Sequence, residues 1–429
     1  MKTILVRPNC SEGYYKDLQN LRAVEPPLWH LILAKYYKAD EVIDAEAKNY
    51  NYLQTIEYIL KSKAQRIIIL ATGSHPSANI QQTDIANKIA NFIKNISKNY
   101  QVEVYNYLPV NPIHFREPNW DLVDIKDYVS HNWQGWAVNG IRQYYGTIYT
   151  SISCSFNCKF CQIKNFYRRN YEQRPLDDVF TDFDQLAKLQ VKNVKVLDEL
   201  FILNPKRVEL ICDYLISRGY NFNIWAYARI DTISEKLLKK LKKAGFNWLA
   251  IGVEAGNEEI RRKILKGKFT NDKIREVVKM IHDNGIYIVG NYMFGFWDEK
   301  LEHLQETLAF AQELNCEYSN FYCLSAFPKT PLYDFYKKQN IDLPQKSIEY
   351  AQMSYHFKPL PTKYLSAKEV LKFRDTAFEI YFTDPHYLGT MDLLFGEKVI
   401  REIIDMTKIK IKRKVLKDEL GYWEFKKVF

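Results

Sequence analysis

The run Gly146-Thr-Ile-Tyr-Thr-Ser-Ile-Ser-Cys154-Ser-Phe-Asn-Cys158-Lys-Phe-Cys161 decides how the chain is read. It opens as a strand of alternating small, β-branched and aromatic residues. It ends in three cysteines, Cys154, Cys158 and Cys161, spaced C-x3-C-x2-C, with the aromatic Phe160 before the last. Three thiolates on one short loop can hold three irons of a cubane cluster and leave the fourth iron open. An open iron can bind a small molecule and pass it an electron. Structural zinc fits less well, because a closed zinc site wants four ligands and no other cysteine lies within fifty residues of the loop. A disulfide framework fits poorly too: the seven cysteines are an odd count and no secretory leader is evident, which points to a reducing, cytoplasmic setting. Cys10, Cys212, Cys316 and Cys323 sit among apolar and aromatic neighbours and read as small buried hydrophobes.

Downstream of the loop the same strand-then-loop pattern recurs. Val194-Lys-Val-Leu-Asp198, Phe222-Asn-Ile-Trp-Ala-Tyr-Ala228, Trp248-Leu-Ala-Ile-Gly-Val253, Ile286-Tyr-Ile-Val-Gly-Asn-Tyr-Met293 and Tyr318-Ser-Asn-Phe-Tyr-Cys-Leu324 each run into a polar or glycine-bearing loop. With the strand before the cysteines this makes six, a partial β/α barrel over 144–340. In parallel barrels the loops after the strands build the site. The candidate residues fall there: the three cysteines, Asp198, Glu199, Arg229, Glu254 and Asn291. Tyr149, Trp225, Tyr227 and Tyr292 lie on or near these strands and read as core.

Upstream, residues 1–110 alternate strand and helix, which predicts a Rossmann-like parallel sheet with helices on its faces. Ligands of such sheets bind beyond the carboxyl ends of the strands. Those ends carry Arg7-Pro-Asn9, Asp44-Ala-Glu46 and Thr72-Gly-Ser-His-Pro-Ser77. No G-x-G-x-x-G is present, which argues against a dinucleotide. Residues 111–143 form a linker rich in aromatics (Trp120, Tyr128, Trp133, Trp136) that also holds His131. In the C-terminal segment, 341–429, Ala367 to Phe382 reads as an amphipathic helix. The alternation Lys408-Ile-Lys-Ile-Lys-Arg-Lys414 reads as a strand with one lysine-rich solvated face, so a small α+β segment is expected to close the barrel.

The 429 residues carry a net charge of +10, and no apolar run reaches the roughly 18 residues of a membrane helix. The charge admits an acidic partner, but no recognisable RNA-binding module accompanies it.

The cysteine loop matches, residue by residue, the cluster motif of the radical S-adenosylmethionine superfamily, and the chain resembles that superfamily's cobalamin-associated branch. Tyr227-Ala-Arg-Ile-Asp231, Ile251-Gly-Val-Glu-Ala-Gly256 and Asn291-Tyr-Met-Phe-Gly295 are similar to its third to fifth strand ends. Ala326-Phe-Pro-Lys-Thr-Pro-Leu-Tyr333 is similar to its closing motif. Glu25-Pro-Pro-Leu-Trp29, Val42-Ile-Asp-Ala45 and Gly73-Ser-His-Pro-Ser-Ala78 resemble the cobalamin-binding domain. Two features depart from the pattern: Ser153 stands where a glycine often precedes the first cysteine, and D-x-H-x-x-G, the cobalt-ligating histidine motif, is missing.

The resemblance implies a 4Fe-4S cluster on Cys154, Cys158 and Cys161, S-adenosylmethionine on its open iron, and cobalamin in the N-terminal domain. It places Phe160, Asp198, Glu199, Arg229, Glu254 and Asn291 around S-adenosylmethionine: Asp198 or Glu199 for the methionyl ammonium, Arg229 for its carboxylate through a guanidinium fork, Glu254 for the ribose. It places Pro27, Trp29, Asp44, Gly73, Ser74, His75 and Ser77 around cobalamin, with His75 packing or hydrogen bonding in preference to ligating cobalt. The implied activity is a methyltransferase acting through a 5′-deoxyadenosyl radical on a carbon of a small or carbohydrate-like metabolite, fed by an electron donor such as flavodoxin or ferredoxin. The alternatives are radical chemistry without methyl transfer over a vestigial cobalamin domain, RNA modification, and a non-enzymatic iron–sulfur or corrinoid sensor.

Overall fold

The computed structural model describes residues 1–9, 18, 21–72, 76–115, 117–264, 267 and 269–417, with only the helical backbone for 76–79. The N-terminal strands are β1 (Thr3–Arg7), β2 (Glu41–Asp44), β3 (Arg66–Leu70) and β4 (Gln101–Tyr105). They form one parallel sheet in the order β2-β1-β3-β4. The continuous apolar runs of β1 and β3 follow from burial on both faces. Side chains alternate between faces. Leu5, Ile68 and Leu70 therefore join the core under the helix Leu28–Tyr37. Ile4, Val6, Ile67 and Ile69 pack with Ile56, Ile59, Ile89 and Ile93 of the helices Tyr52–Lys61 and Pro76–Ile96.

The second unit begins at β5 (Tyr145–Ile148). A short antiparallel ribbon follows, β6 (Ser151–Ile152) with β7 (Glu172–Gln173), flanking the cysteine loop. The strands β8 (Asn193–Val196), β9 (Asn223–Ala228), β10 (Phe246–Glu254), β11 (Tyr287–Phe294) and β12 (Tyr318–Cys323) complete a parallel sheet ordered β12-β11-β10-β9-β8-β5. Helices such as Leu176–Lys188 and Asn271–Asp283 connect them, as parallel pairing requires. The sheet is the six-stranded partial barrel anticipated from the sequence, with a seam between β5 and β12.

The linker turns into the barrel. Its helix Asn132–Trp136 is wholly buried. Gln134 Nε2 donates to the carbonyls of Val194 (3.3 Å) and Asn223 (2.9 Å) at the amino ends of the strands. Trp133 packs edge-on against Trp225 and Trp248 at 5.4 and 5.0 Å and tilts against Tyr318 at 5.9 Å, which joins β9, β10 and β12 through aromatic surface.

One expectation fails here. Residues 408–414 form no strand: the helix Glu397–Lys408 runs into an irregular stretch and a 3-10 turn at Lys414–Leu416. The barrel edge that could have paired with it is taken by side chains. Arg374 Nε donates to the carbonyl of Phe321, and Gln352 exchanges hydrogen bonds with both the N–H and the carbonyl of Cys323. Lys408, Lys412 and Lys414 are exposed, while Lys410 and Arg413 reach inward. Arg413 is buried, donates to the carbonyls of Gln352 and Ser354, and pairs with Asp375 at 3.2 Å. Lys410 pairs with Glu379 at 2.8 Å. The described part of the C-terminal segment is helical, so the α+β expectation is corrected to α.

Candidate active site

The cysteine loop is pinned at both ends. Ser153 takes a left-handed backbone (φ +64°), the region that favours glycine, and its Oγ donates to the carbonyl of Arg169 at 2.8 Å. Lys159 N donates to the Ile264 carbonyl, and Leu332 N donates to the Lys159 carbonyl. The three cysteines are half-buried and form no disulfide. Burial pushes the Cys154 thiol up and the Cys161 thiol up to about 12. Thiols in such surroundings become thiolates when a cation binds them. Among the described residues no three His, Cys, Asp or Glu side chains converge on a point for one ion. A cubane does not need that convergence, since each cysteine ligates its own iron.

The adjacent carboxylates after β8 part company. Asp198 is buried and accepts from Thr150 N (2.6 Å), Thr150 Oγ1 (2.6 Å) and Ser151 Oγ (2.5 Å). It ties β8 to the start of the cysteine loop and does not line the cavity that Glu199 faces, so its expected contact with S-adenosylmethionine is corrected to a structural one. Glu199 turns the other way, onto the cavity that Cys161 and Phe160 also line. Burial pushes its carboxyl up to about 8, opposed by the Lys195 charge and a Tyr167 hydrogen bond. A carboxylate so placed gains from one more cation.

Arg229 follows β9. Its Nε and Nη2 are engaged by Asp231, both at 2.8 Å, and its guanidinium lies 3.8 Å from the ring centroid of Phe156 in the cysteine loop. One edge of the fork is thus spent on Asp231, and Nη1 is the nitrogen that remains for a ligand among the described contacts. Glu254, the last residue of β10, holds φ +69° and lines the cavity. A non-glycine residue there is uncommon and costs about 1–2 kcal/mol. Asn291 lines the cavity from β11; its amide donates to the carbonyl of Ile251 and accepts from Asn320. Phe160 packs against Phe296 at 6.4 Å.

The cavity is about 640 Å³ and runs from this rim to the N-terminal sheet. Arg7, Glu46, Gln81 and Gln82 line its far side, all at or just beyond the carboxyl ends of β1, β2 and β3. On this wall the buried Gln82 Oε1 has no partner among the described residues. Buried polar atoms without partners are costly, so this wall suits a large ligand rich in hydrogen-bonding groups, as cobalamin is.

The individual cobalamin contacts expected from the sequence fare differently. Trp29 is core, 5.0 Å from Tyr149 and 6.2 Å from Tyr167, and Pro27 is buried beside it; neither lines the cavity. Asp44 is spent on Arg7 (3.2 Å), on Tyr128 and on the amides of Glu46 and Ala47. These three are corrected to packing and support. Gly73, Ser74 and His75 lie outside the described residues, and Ser77 is described only as helical backbone.

The sequence reading missed a buried pair. Lys195, inside β8, bonds both oxygens of Glu25 at 2.9 and 3.2 Å, and its Nζ sits 4.8 Å from the centroid of Trp225. His131 Nε2 lies 3.7 Å from the same carboxylate. The only available signal was a lysine in the middle of an otherwise apolar strand.

Residues 148–311 match the radical SAM superfamily, whose domain works with a 4Fe-4S cluster and S-adenosylmethionine. An uncharacterized methyltransferase of Pyrococcus horikoshii is 25% identical over 272 residues, 63% of this chain and 56% of that protein. The chain spans about half the length of the curated relatives it matches. The cobalamin-dependent S-adenosylmethionine radical enzyme OxsB, solved with aqua-cobalamin and S-adenosylmethionine, superposes with a TM-score of 0.64 at 13% identity, covering 95% of this chain and 70% of that one. The radical S-adenosylmethionine methyltransferase TsrM of Kitasatospora setae, solved with cobalamin and a 4Fe-4S cluster, gives 0.56 at 16% identity over 79% of this chain and 75% of that one. With its cysteine loop, its partial barrel and its N-terminal parallel sheet, the chain carries a radical SAM domain over residues 148–311 and has the fold of the cobalamin-dependent radical S-adenosylmethionine proteins.

Proposed function

We propose that the chain is a cobalamin-dependent radical methyltransferase acting on a carbon of a small metabolite. One observation carries this reading: a single cavity joins the carboxyl ends of the N-terminal strands to the cysteine loop of the barrel. A ligand held by the first sheet therefore faces one held at the second. When bound, the cluster with S-adenosylmethionine supplies a carbon-centred radical and cobalamin supplies a methyl group.

The chain's own groups bind, orient and shield. Cys154, Cys158 and Cys161 hold the cluster. Glu199 gives the methionyl ammonium its counter-charge, and Arg229 meets the methionyl carboxylate through Nη1, steadied by Asp231 and Phe156. Glu254 and Asn291 take hydroxyls and polar edges on the opposite wall. Arg7, Glu46, Gln81 and Gln82 face the corrin side. The electron comes from an external flavodoxin- or ferredoxin-like donor.

The test is anaerobic reconstitution with iron, sulfide and hydroxocobalamin. About four irons per chain are expected, with cobalamin retained through gel filtration. Cys158→Ala should lose the cluster and 5′-deoxyadenosine formation together. A chain that never retains cobalamin would leave the radical chemistry standing without methyl transfer. A Cys158→Ala protein with a full, active cluster would sink the whole reading.

A further inference from the structure

The floor of the barrel cavity carries a polar group that neither the cluster nor S-adenosylmethionine explains. We propose that Glu25, Lys195 and His131, set among Trp133 and Trp225, form a subsite for a neutral ring bearing adjacent hydroxyls, a sugar-like portion of the substrate. The proposal deepens the methyltransferase reading and rests on it only in taking the ring to be part of the substrate.

The geometry supplies the chemistry. Lys195 and Glu25 present a donor and an acceptor side by side, 2.9 Å apart, on the cavity wall. Two neighbouring hydroxyls match that pair: one donates O–H to the carboxylate while the next accepts from the ammonium. His131 lies 3.7 Å from the same carboxylate. Its side chain is 32% exposed, and it lines the cavity, so a ring nitrogen can meet a third hydroxyl. Trp133, Trp225 and Tyr227 surround this cluster with apolar surface for ring C–H groups.

Charge selects against anions. Every lysine and arginine lining the cavity already has a carboxylate: Arg7 with Asp44 and Glu46, Arg22 with Glu46, Lys195 with Glu25, Arg374 with Asp375 and Lys410 with Glu379. A phosphate or carboxylate entering here would meet cations whose charge is already neutralised, and would face the paired carboxylates beside them. A wholly apolar ligand would cover the Lys195–Glu25 pair without hydrogen bonds, which is costly as well. Reach fits a small molecule. Lys195 and Glu199 are four residues apart, so at most about 13 Å separates floor from rim at strand spacing.

The experiment uses the full chain with cluster, cobalamin and S-adenosylmethionine, and follows tryptophan fluorescence and ligand-observed NMR. The probes are methyl β-D-glucopyranoside and myo-inositol, against glucose 6-phosphate, glucuronate and inorganic phosphate. The neutral polyols should bind, and the anionic probes should bind about tenfold more weakly or worse. Lys195→Met alone strands a buried carboxylate and can unfold the chain, so the pair is removed together as Lys195→Met/Glu25→Gln, with folding checked by thermal melting. This variant should lose about tenfold or more in polyol affinity. His131→Phe, which keeps the ring on Trp133, should lose less. Anionic probes binding more tightly than the polyols, polyols failing to bind the wild-type chain, or a folded double variant with unchanged affinity would each overturn the subsite. Polyol binding without methyl transfer upholds the subsite and counts against the methyltransferase reading alone.

Discussion

The two ends of the barrel are built on opposite principles. At the amino end, amides close on one another. Asn223 Nδ2 donates to Gln134 O and to Asn193 Oδ1, both at 2.8 Å; Asn247 donates to Asn223 Oδ1; and Asn193 donates to the Ile141 carbonyl. A helix from the linker plugs this end, and Gln134 Nε2 ties it to the carbonyls of Val194 and Asn223. At the carboxyl end, carboxylates stand beside half-buried thiols, Glu254 sits in an unfavourable backbone region, and the wall opens on a cavity. Satisfied polar networks rigidify, whereas groups left to be completed by a ligand cost stability until it arrives. The barrel thus keeps its stability at one end and its chemistry at the other, as parallel barrels generally do.

The sharpest way to break this contrast is Asn223→Leu. It removes the donor to the Gln134 carbonyl and to Asn193 Oδ1 and the acceptor of Asn247 Nδ2, and should cost about 3–5 kcal/mol in chemical denaturation. S-adenosylmethionine affinity, measured on protein that remains folded, should hardly change. An affinity loss of similar size would show that the ends are not independent.

Next comes the divided carboxylate pair. Glu199→Gln should weaken S-adenosylmethionine binding by about 1.5–3 kcal/mol, the scale of a charged hydrogen bond, with little loss of fold. Asp198→Asn should do the reverse, lowering the melting temperature while leaving the methionyl ammonium its partner. Calorimetric titration beside thermal melts distinguishes the two, and a swap of these outcomes would reassign the roles.

A pH test probes the turn after β11. Glu299 is buried, and burial pushes its carboxyl up to about 8 even though the amides of Gly295 and Phe296 donate to it. Folded chains therefore hold this proton where unfolded ones, near 4.5, release it. The contribution is fully present below about 4.5 and is lost as pH rises towards about 8. Glu299→Gln keeps the acceptor and cannot ionise, so denaturation series at several pH values should fall less steeply across that window than for the wild type. Equal slopes would refute the assignment.

The smallest effect is expected at Ser153. Glycine there relieves the left-handed backbone but also removes the hydroxyl bond to Arg169, so Ser153→Gly should shift stability by less than about 1 kcal/mol and leave iron content unchanged. A lost cluster would mean that the hydroxyl, and not the backbone, sets the loop.

Much of the fold was legible because it is written in local pattern. The helix Ala367–Phe382 falls where apolar spacing puts it, and the six barrel strands appear within a few residues of their predicted ends. The failure at 408–414 has a clear cause. Alternation reports only that side chains point two ways; Gln352 and Arg374 had already occupied the edge against which a strand would form. Lys195 was invisible for a related reason, because nothing local reveals a carboxylate 170 residues away in sequence.

By itself the sequence determined the cysteine loop, since thiol spacing is a local covalent fact, and the order of strands and helices, since hydrophobic period is local too. Only the tertiary structure decided which of Asp198 and Glu199 faces the cavity, that Trp29 and Asp44 serve packing and support, and that two sheets share one pocket. Those outcomes depend on which distant side chains fold back to satisfy a buried polar atom, and that is a property of the assembled chain.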